Sequence, residues 1–525
     1  MKLEDLNVLY QKAQISRRDF LRAAAIMGLS ASAAQQLLGS VALAQTPKSG
    51  GHLIAGMQGG SSTDSLDPTT YASDVPATLG VTFGSRLVAE PLEGAGLEGE
   101  LAESWEGLDG GARWVFSLKQ GVEFHNGKTM TAADVVYSLN RHRGEDSTSG
   151  AAGLMQSIKE IKATGEYEIE VLLDGPNADL PYFMSDYHLL IQPEGSTDDG
   201  IGTGPFIFSE VEHGVRYLAV RNPNYHKNGL PYVDSFEILV INDPTARSSA
   251  LQTGQVHVIN RVDPKAVSFL AQSRHVSIQN ASGRGHYVFI MHVNTNPFDM
   301  PDVQLALKYA INRQQMLDTV LQGFGSIGND HPINRAYPLF EDAVPQREFD
   351  LDKAAFHYKK SGHSGPIILR TSEVAFSGAV EAAVLYQETA KQAGIDLQII
   401  REPGDGYWSD VWNVKPFSAS YWGGRPTQDQ MFSVAYKSDA PWNDTRFFNE
   451  EFDRLLLEAR SELDSAKRAA NYSRMQGLLN NEGGVIVPMF NDFLDAISNE
   501  VKGYIPNPAG MLMNGRVAEF TWLDG

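Results

Sequence analysis

The chain has 525 residues, a net charge of −21 and 42% hydrophobic residues. This length predicts two or three lobes rather than one core, and the acidic balance argues against nucleic acid or an anionic membrane surface as a partner. The sequence contains no cysteine, which excludes disulfides, thiolate metal sites, cysteine nucleophiles and a lipid anchor on an N-terminal cysteine.

The first 44 residues have the features of an export signal. Ser16–Leu21 reads SRRDFL, a twin-arginine motif. An uncharged stretch rich in alanine and leucine follows, and Ala42-Leu43-Ala44 is an A-x-A cleavage site. No later stretch reaches the about 18 apolar residues that a membrane helix needs. We therefore expect residues 1–44 to be a signal peptide and the mature protein to be periplasmic, exported by the twin-arginine route.

The remaining chain alternates between predicted strands and predicted helices. Strands are predicted from residue alternation and short apolar runs at 50–56, 114–118, 167–173, 215–220, 236–241, 287–293, 395–400 and 485–489. Helices are predicted from apolar spacing and capping residues at 245–253, 302–321, 377–392 and 452–480. A glycine, Gly394, separates one of these helices from the next strand, an order typical of α/β proteins.

The stretch Leu101–Arg141 contains the clearest local signals. Trp114–Leu118 alternates apolar and other side chains as a half-buried strand does. Asn126-Gly127 suits a tight turn, and Thr131 with Asp134 forms the pattern of a capping box that opens a helix. These residue types build structure and carry no catalytic chemistry. Glycines 202 and 204 of Gly202–Phe206 predict a hinge-like break later in the chain.

Motifs for catalysis or cofactor binding are weak. Gly323–Gly328 fits G-x-G-x-x-G, but a predicted helix precedes it instead of a strand, so it is interpreted as a loop. The 13 histidines are scattered without an i, i+2 or i, i+4 pair. We therefore expect no metal and no cofactor, and the sequence gives an enzyme no positive support.

Aromatic residues concentrate in one later region. Four of the seven tryptophans lie between Tyr407 and Trp442, around the segment Tyr421–Pro426. A core cluster is one interpretation. Glycines, Arg425 and Asp429 among the rings favour the other, an exposed loop in a small-molecule cleft with aromatic walls and a few polar anchors.

The order of these motifs resembles the extracytoplasmic solute-binding proteins of ABC importers, family 5, which includes dipeptide-, oligopeptide- and nickel-binding proteins. The strongest matching segments are Leu101–Trp105, Trp114–Leu118, Phe124–Gly127 and Thr131–Arg141. Further matching segments are Leu66–Pro68, Gly202–Phe206, Asn222–Tyr225, Val303–Arg313 and Asp453–Leu479.

The resemblance implies an α/β, two-lobed periplasmic-binding-protein fold of the type II-like kind, with an extra subdomain inserted in the first lobe. It implies that residues 45–90, 200–285 and 499–525 form lobe I, 91–199 the inserted subdomain and 286–498 lobe II. A small solute is expected between the lobes, trapped by hinge closure. The expected partners are that ligand, a peptide, opine-like or other amino-acid conjugate, and an inner-membrane ABC permease, and the protein itself is expected to be a monomer.

One departure from the family pattern concerns the charged anchor of the ligand. Peptide-binding members carry an aspartate soon after the tryptophan equivalent to Trp422, where it pairs with the peptide amino group. Here Arg425 occupies that position, and its planar fork suits carboxylate or phosphate. Three alternatives remain: Arg425 anchors an anionic group, Arg425 is an ordinary surface arginine, or a shifted loop gives the acid's role to Asp429.

The resemblance thus predicts a periplasmic binding component that delivers a peptide or peptide-like solute to a permease. A secreted hydrolase of peptides or glycosides and a chaperone-like periplasmic binder are the alternatives. The expected ligand-binding residues are Ser61, Ser62 and Asp64 of a first-lobe loop, together with Tyr407, Trp408, Trp422, Arg425 and Asp429.

Overall fold

The computed structural model describes residues 47–71, 73–93, 96–144, 147–404, 407–440 and 442–524, with the side chains of Trp408 and Ser409 left out. The predicted signal peptide, residues 1–44, lies outside the described residues.

The chain enters a large sheet with its first strand and then forms a helix and two short strands. These elements are β1 (His52–Met57), α1 (Asp74–Phe83), β2 (Val88–Ala89) and β3 (Glu98–Gly99). Short 3₁₀ helices occur at Pro68–Thr70, Asp109–Gly111 and Pro264–Ala266.

A separate antiparallel sheet with its own core follows, and we call this unit the subdomain. Its elements are β4 (Ala102–Leu108), β5 (Arg113–Leu118), α2 (Ala132–Asn140), α3 (Ala152–Met155), β6 (Ile158–Gly165), β7 (Glu168–Leu173) and α4 (Leu180–Phe183). The strand order is β4-β5-β7-β6. Trp114, Phe116 and Leu118 are buried, which confirms the alternation seen in the sequence. The capping box at Thr131 and Asp134 is also confirmed.

Lobe I consists of one half of the large sheet with its covering helices. Its further elements are β8 (Phe206–Glu212), β9 (Arg216–Arg221), β10 (Ser235–Val240), α5 (Pro244–Gln252), β11 (Val258–Ile259) and α6 (Val267–Leu270). Strand β1 pairs in parallel with both β10 and β11. Because the three strands point the same way, their carboxyl ends form one edge of the lobe.

Lobe II carries the other half of the sheet. Its elements are β12 (Val276–Met291), α7 (Pro301–Tyr309), α8 (Arg313–Val320), β13 (Gly325–Ile327), α9 (Leu351–Ser361), β14 (Ile367–Thr371), α10 (Ala379–Gln392), β15 (Leu397–Arg401), α11 (Tyr407–Asp410), β16 (Phe417–Trp422), α12 (Gln428–Ala435), α13 (Glu450–Ser461), α14 (Ser465–Glu482) and β17 (Val485–Ser498). The chain ends with β18 (Val501–Lys502), α15 (Met511–Asn514), α16 (Val517–Phe520) and β19 (Trp522–Leu523).

Two long antiparallel strands, β12 and β17, join the halves into one sheet of order β15-β14-β16-β12-β17-β11-β1-β10-β9-β8, with β13 added on β17. Their register shifts between Ser282 and His286, where β12 contains Gly283 and Gly285. A side chain at Gly283 would lie 2.8 Å from the Phe493 ring. Such a bulge bends and twists a strand, so the connection between the lobes is irregular at this point.

Three predicted features differ in the structure. The helix predicted over 302–321 is two helices, since Asn312 accepts a hydrogen bond from the Gln315 amide at 3.0 Å and caps α8. The helix predicted over 452–480 is also divided, because Asp464 caps α14. The hinge-like break at Gly202–Phe206 is a close backbone contact, since a Cβ at Gly204 would lie 2.4 Å from the Phe83 carbonyl carbon.

The buried side chains form separate cores in lobe I, the subdomain and lobe II. Leu87 and Val88 pack in the subdomain core, slightly before the start predicted for that unit, and the exact domain boundaries stay predictions. In the described part of the chain, no helix has both the length and the apolar character needed to span a membrane.

Candidate functional site

The carboxyl ends of β1 and β11 form the lobe I wall of a cleft. The Gln58 amide donates to Asn260 Oδ1 at 2.8 Å, which ties the two strand ends together. Beside them, Arg261 Nε lies 2.7 Å from Asp74 Oδ2, at the start of α1. This charged pair is partly exposed, with 46% of the Arg261 side chain and 30% of the Asp74 side chain accessible. It therefore offers polar groups at the strand edge where α/β proteins bind small molecules.

A buried arginine holds the backbone of this wall. Arg247 is 1% exposed, and its Nε and Nη2 donate to the carbonyls of Asn260 at 3.0 Å and Arg261 at 2.9 Å. Burial and, next, the charge of Arg261 lower the pKa of Arg247 to about 10. Arg261 itself has a φ of +49°, a conformation that costs a non-glycine residue about 1–3 kcal/mol. The hydrogen bonds from Arg247 therefore stabilise a strained backbone that presents Arg261 to the cleft.

Two tyrosines at the end of β16 and in β12 form part of the lobe II wall. Tyr421 pairs across the strands with Tyr287 and is 50% exposed, while Tyr287 stacks on Phe376 at 4.3 Å between ring centroids. Burial lowers the pKa of Arg261. The opposing effect of Asp74 is the strongest, followed by those of Tyr421 and Tyr287, and together they raise the pKa above its ordinary value. The two tyrosines thus lie within electrostatic reach of the lobe I wall.

Arg425 lies beyond β16 on the same wall, and its position is fixed by the loop around it. Gly424 has a φ of +75°, and a Cβ there would lie 2.6 Å from Arg284 Cβ, so this loop requires glycine. The Arg425 amide donates to Tyr337 Oη at 3.2 Å and its Nη1 to the Gly424 carbonyl at 2.6 Å. Its guanidinium carbon lies 5.9 Å from the Trp422 ring centroid, within cation–π range.

The subdomain supplies a third wall through Tyr187, which is 36% exposed. Burial raises the pKa of Tyr187, the charges of Asp186 and Asp74 raise it further, and Arg425 opposes them. Because Asp74 belongs to lobe I and Arg425 to lobe II, Tyr187 lies within electrostatic reach of both lobes.

The neighbouring carboxylate of this wall is already paired. His188 Nδ1 donates to Asp186 Oδ1 at 2.6 Å, and His188 Nε2 lies 2.8 Å from the Tyr71 carbonyl. Burial lowers the pKa of His188. The hydrogen bond to Asp186 and, after it, the bond to the Tyr71 carbonyl outweigh burial and raise the pKa above its ordinary value. Burial likewise raises the pKa of Asp186, but the bond from His188 and the charge of Arg425 bring it below its ordinary value.

Trp422 fits both interpretations of the aromatic region, the core cluster and the wall of a small-molecule cleft. It is 5% exposed and packs in the lobe II core. Its ring centroid lies 6.3 Å from that of Trp412 and 6.1 Å from that of Trp442, and Trp442 is 49% exposed. The tryptophan cluster therefore packs in the core beneath the lobe II wall, and one of its rings, that of Trp442, is exposed at the surface.

Tyr407 and Asp429, predicted to face a ligand, are buried in the structure. Tyr407 is 1% exposed and its hydroxyl donates to the Ala419 carbonyl at 2.8 Å, so it is a core residue. Asp429 is 1% exposed and accepts hydrogen bonds from Arg460 Nε at 3.0 Å and Nη2 at 2.9 Å. Its carboxylate is thus satisfied within the protein. The predicted side chain of Trp408 lies outside the described residues.

The predicted loop residues Ser61, Ser62 and Asp64 form a self-contained turn. The Ser61 amide donates to Asp64 Oδ2 at 2.8 Å, and the turn packs on Gly214, where a Cβ would lie 2.5 Å from Ser61. The strand end before this turn lines the cleft more directly. Sequence reasoning missed Asp74, Tyr187 and Arg261, since nothing in their local patterns distinguishes them. Tyr421 belongs to the aromatic region but not to the predicted ligand-binding residues.

Direct contacts also join the subdomain to lobe II. Arg468 Nη2 lies 2.6 Å from Asp179 Oδ1, and the Ala178 amide donates to the Arg460 carbonyl at 2.8 Å. We call these two contacts the latch. Within the part of the chain that the structure describes, no group of three or more histidine or carboxylate side chains could hold a metal ion.

Two lobes that share one sheet, with partly exposed tyrosines and arginines facing each other between them, define a two-lobed solute-binding protein. Residues 96–444 match the model of the bacterial extracellular solute-binding proteins, family 5 Middle. The chain therefore belongs to the bacterial extracellular solute-binding proteins of family 5, whose members are substrate-binding proteins rather than enzymes. The family resemblance and the α/β, two-lobed fold predicted from the sequence are thereby confirmed.

Relatives of similar length carry different ligand names. Heme-binding protein A of Haemophilus influenzae is 24% identical, with 81% of this chain and 85% of the relative covered. The oligopeptide-binding protein AppA of Bacillus subtilis is 26% identical, with 89% and 91% covered. Among solved structures, the periplasmic binding protein DppA of Helicobacter pylori in complex with the peptide STSA has a TM-score of 0.77 at 20% identity, covering 91% of this chain and 99% of that one. The last likeness supports the fold alone.

Proposed function

We propose that this protein is the periplasmic substrate-binding component of an ABC importer, which captures a peptide or peptide-like small solute and delivers it to an inner-membrane permease. One observation carries the proposal: accessible side chains from three separate parts of the chain, Arg261, Tyr187 and Tyr421, each lie within electrostatic reach of a group from another part. Family membership and the names of the relatives support the transport role.

The mechanism is reversible binding followed by closure. Solute first meets one wall, and rotation about the irregular β12–β17 connection brings the other walls against it. Covering the accessible parts of three partly exposed tyrosine rings contributes about 1 kcal/mol each. Micromolar affinity needs about 8 kcal/mol, so a charged anchor and further contacts with the solute must supply the rest. The closed surface, made of both lobes and the subdomain, is then the form that the permease recognises.

The working form is proposed to be a monomer outside the cytoplasm. Extracytoplasmic location follows from the family, and the route through the twin-arginine system is proposed from Arg17 and Arg18. The net charge of −21 is compatible with a soluble carrier that does not adhere to anionic lipid.

The test uses solutes smaller than about 1 kDa from the periplasm of the native host, added to protein that has been unfolded and refolded to remove bound ligand. We expect a rise in the melting temperature of the wild type, as any ligand that binds only the folded state stabilises it. Tyr421→Ala should reduce the rise strongly. Phe356→Ala is the matched control, because Phe356 is a 61% exposed ring on lobe II away from the cleft. An equal rise in wild type and Tyr421→Ala would contradict the proposed site.

A further inference from the structure

We propose that the solute binds Arg425 through a carboxylate and carries no ammonium group at that end. This inference rests on the proposed function and names the class of solute for the same cleft. The inference rests on the charged groups near the cleft that already have a partner of opposite charge within the protein.

Three described carboxylates near the cleft have cationic partners. The pairs are Asp74 with Arg261, Asp186 with His188 and Asp429 with Arg460. Asp74 also accepts a hydrogen bond from Asn260 Nδ2 at 3.1 Å, and Asp429 another from Ser433 Oγ at 3.0 Å. A solute ammonium would have to displace one of these partners and leave a cation unpaired, which is costly in a partly buried site.

Arg425 differs from the other charged groups of the cleft. Among the described carboxylates, none forms an ion pair with it, and its guanidinium donates to the Gly424 carbonyl through Nη1 alone. The other donors of its planar fork remain for a ligand. In a chain with a net charge of −21, an arginine that forms no ion pair with a described carboxylate is unusual, although the charge of Arg425 does lower the pKa of Asp186. Its orientation is set in advance by Trp422 and Gly424, which lowers the entropy lost on binding.

Carboxylate fits this position better than phosphate. A phosphate dianion usually needs several donors or a helix N-terminus. The nearest N-terminus, that of α12, is closed by its own cap, since the Gln430 amide donates to Thr427 Oγ1 at 3.3 Å. One guanidinium fork matches the two oxygens of a carboxylate. Tyr421 and Tyr187 would then pack against the adjoining apolar part of the solute.

The first experiment identifies the natural solute. Wild-type protein and Arg425→Gln are purified from the native periplasm without unfolding, and released small molecules are identified by mass spectrometry. Arg274→Gln, an exposed arginine of lobe I, is the control. We expect the wild type and Arg274→Gln to release a compound with a carboxylate and no primary amine, and Arg425→Gln to release little of it. A retained solute with a free amine and no second carboxylate, or a phosphorylated solute, would overturn the inference while leaving solute capture intact. Wild-type protein that neither retains nor binds any solute would overturn both.

The second experiment uses defined probes in calorimetry: phenylalanyl-alanine and its N-succinyl derivative, in which a carboxylate replaces the ammonium end. We expect the wild type to bind the succinyl compound at least about 10-fold more tightly, the value of one charge-assisted hydrogen bond. Arg425→Asp should reverse that preference, and Arg425→Lys should retain it in weakened form. Equal affinity for both probes in the wild type, or a preference unchanged in Arg425→Asp with a normal melting temperature, would contradict the inference.

Discussion

Arg247 has the densest set of hydrogen bonds of the residues behind the cleft. Besides the carbonyls of Asn260 and Arg261, its Nη1 donates to the Ile241 carbonyl at 2.8 Å and to that of Asn242 at 3.2 Å. The carbonyls replace a carboxylate in solvating the buried cation. One side chain therefore ties the ends of β10 and β11 to α5 and sets the strained conformation of Arg261.

Replacing Arg247 by lysine should damage both stability and binding. A lysine keeps the charge but cannot reach the same set of carbonyls, so we expect the free energy of unfolding to fall by about 2–4 kcal/mol. Solute affinity should fall by about 10-fold as Arg261 relaxes. Calorimetric melting and titration check the two effects, with Arg274→Lys as an exposed control. Unchanged affinity in a destabilised Arg247→Lys protein would show that Arg261 does not contribute to binding.

Asp444 gives a pH-dependent prediction, because burial raises its pKa to about 7, against the hydrogen bond from Trp412. Trp412 Nε1 donates to Asp444 Oδ2 at 3.0 Å. A folded-state pKa above the unfolded value of about 3.9 means that the folded protein binds the proton more tightly. The stabilising contribution of this group is therefore fully present below about pH 4 and is lost as pH rises through about 7.

The variant Asp444→Asn imitates the protonated acid. It should raise the free energy of unfolding by about 2–4 kcal/mol at pH 8, by less at pH 5, and change it little below about pH 4. Melting curves of both proteins across this range measure the difference, and Asp342→Asn, an exposed aspartate, is the control. A difference that is constant with pH would mean that Asp444 does not titrate in this range.

Single residues show which parts of the candidate site can be predicted from the sequence and which cannot. Arg425 was recognised as a candidate because it follows Trp422 directly in the chain. Arg261 and Tyr187 were not, because they become neighbours of Arg425 only through the pairing of distant strands and the packing of the subdomain. Asp429 was a reasonable alternative until the fold brought Arg460 to it. Which charges are compensated depends on such long-range contacts, and a single sequence does not contain them.

At the scale of elements, local patterns predicted the type of most strands and helices better than their limits. Alternation located β5, and the capping box of Thr131 located the start of α2. The predicted helix over 302–321 failed at its middle, since the apolar spacing continues across Asn312 although its side chain caps a new helix. The length of β12 and β17 was also missed, because half of each strand lies beyond the apolar run that signalled it.

The latch between the subdomain and lobe II is the clearest element-scale contact for closure. The Asp179 side chain is 3% exposed and that of Arg468 10%, so the pair has lost most of its hydration. Such a pair stabilises the state in which it forms. Removing one partner leaves the other charge buried and unpaired, which is strongly destabilising. We therefore expect the closed arrangement to depend on this ion pair.

Replacing Asp179 by asparagine should shift the unliganded protein toward open forms. We expect solute affinity to fall by about 3- to 30-fold, since apparent affinity scales with the fraction of binding-competent protein. Small-angle scattering of the unliganded variant should give a larger radius of gyration than the wild type. Asp174→Asn, on the exposed surface of the subdomain, is the control. If Asp179→Asn binds and scatters like the wild type, the latch does not govern closure.

For the whole molecule, the export prediction depends on the first 44 residues. Replacing Arg17 and Arg18 together by lysine should leave the precursor in the cytoplasm, because the twin-arginine system reads this pair. Fractionation followed by immunoblotting measures the distribution. Normal periplasmic accumulation of the double-lysine protein would argue for a different export route.

The charge and architecture of the whole chain fit together. Two lobes on one sheet allow a cleft to open and close by a small change at the β12–β17 bulge, without disturbing the cores. Arg425, which forms no ion pair with a described carboxylate, places a positive group at the cleft of a chain whose net charge is −21. The sequence predicted the lobes through family motifs, of which the strongest lie in the subdomain, but these motifs do not include Asp74, Tyr187 or Arg261 of the cleft walls.

The central claim is that solute lies between Arg261, Tyr187, Tyr421 and Arg425. A crystal structure of the protein with the solute that it retains from the periplasm tests this claim most directly. We predict density for one small molecule in this cleft, with an oxyanion within about 3 Å of the Arg425 guanidinium. Density for the solute outside the cleft, or an ammonium group facing Asp429 with Arg425 turned to solvent, would contradict the account.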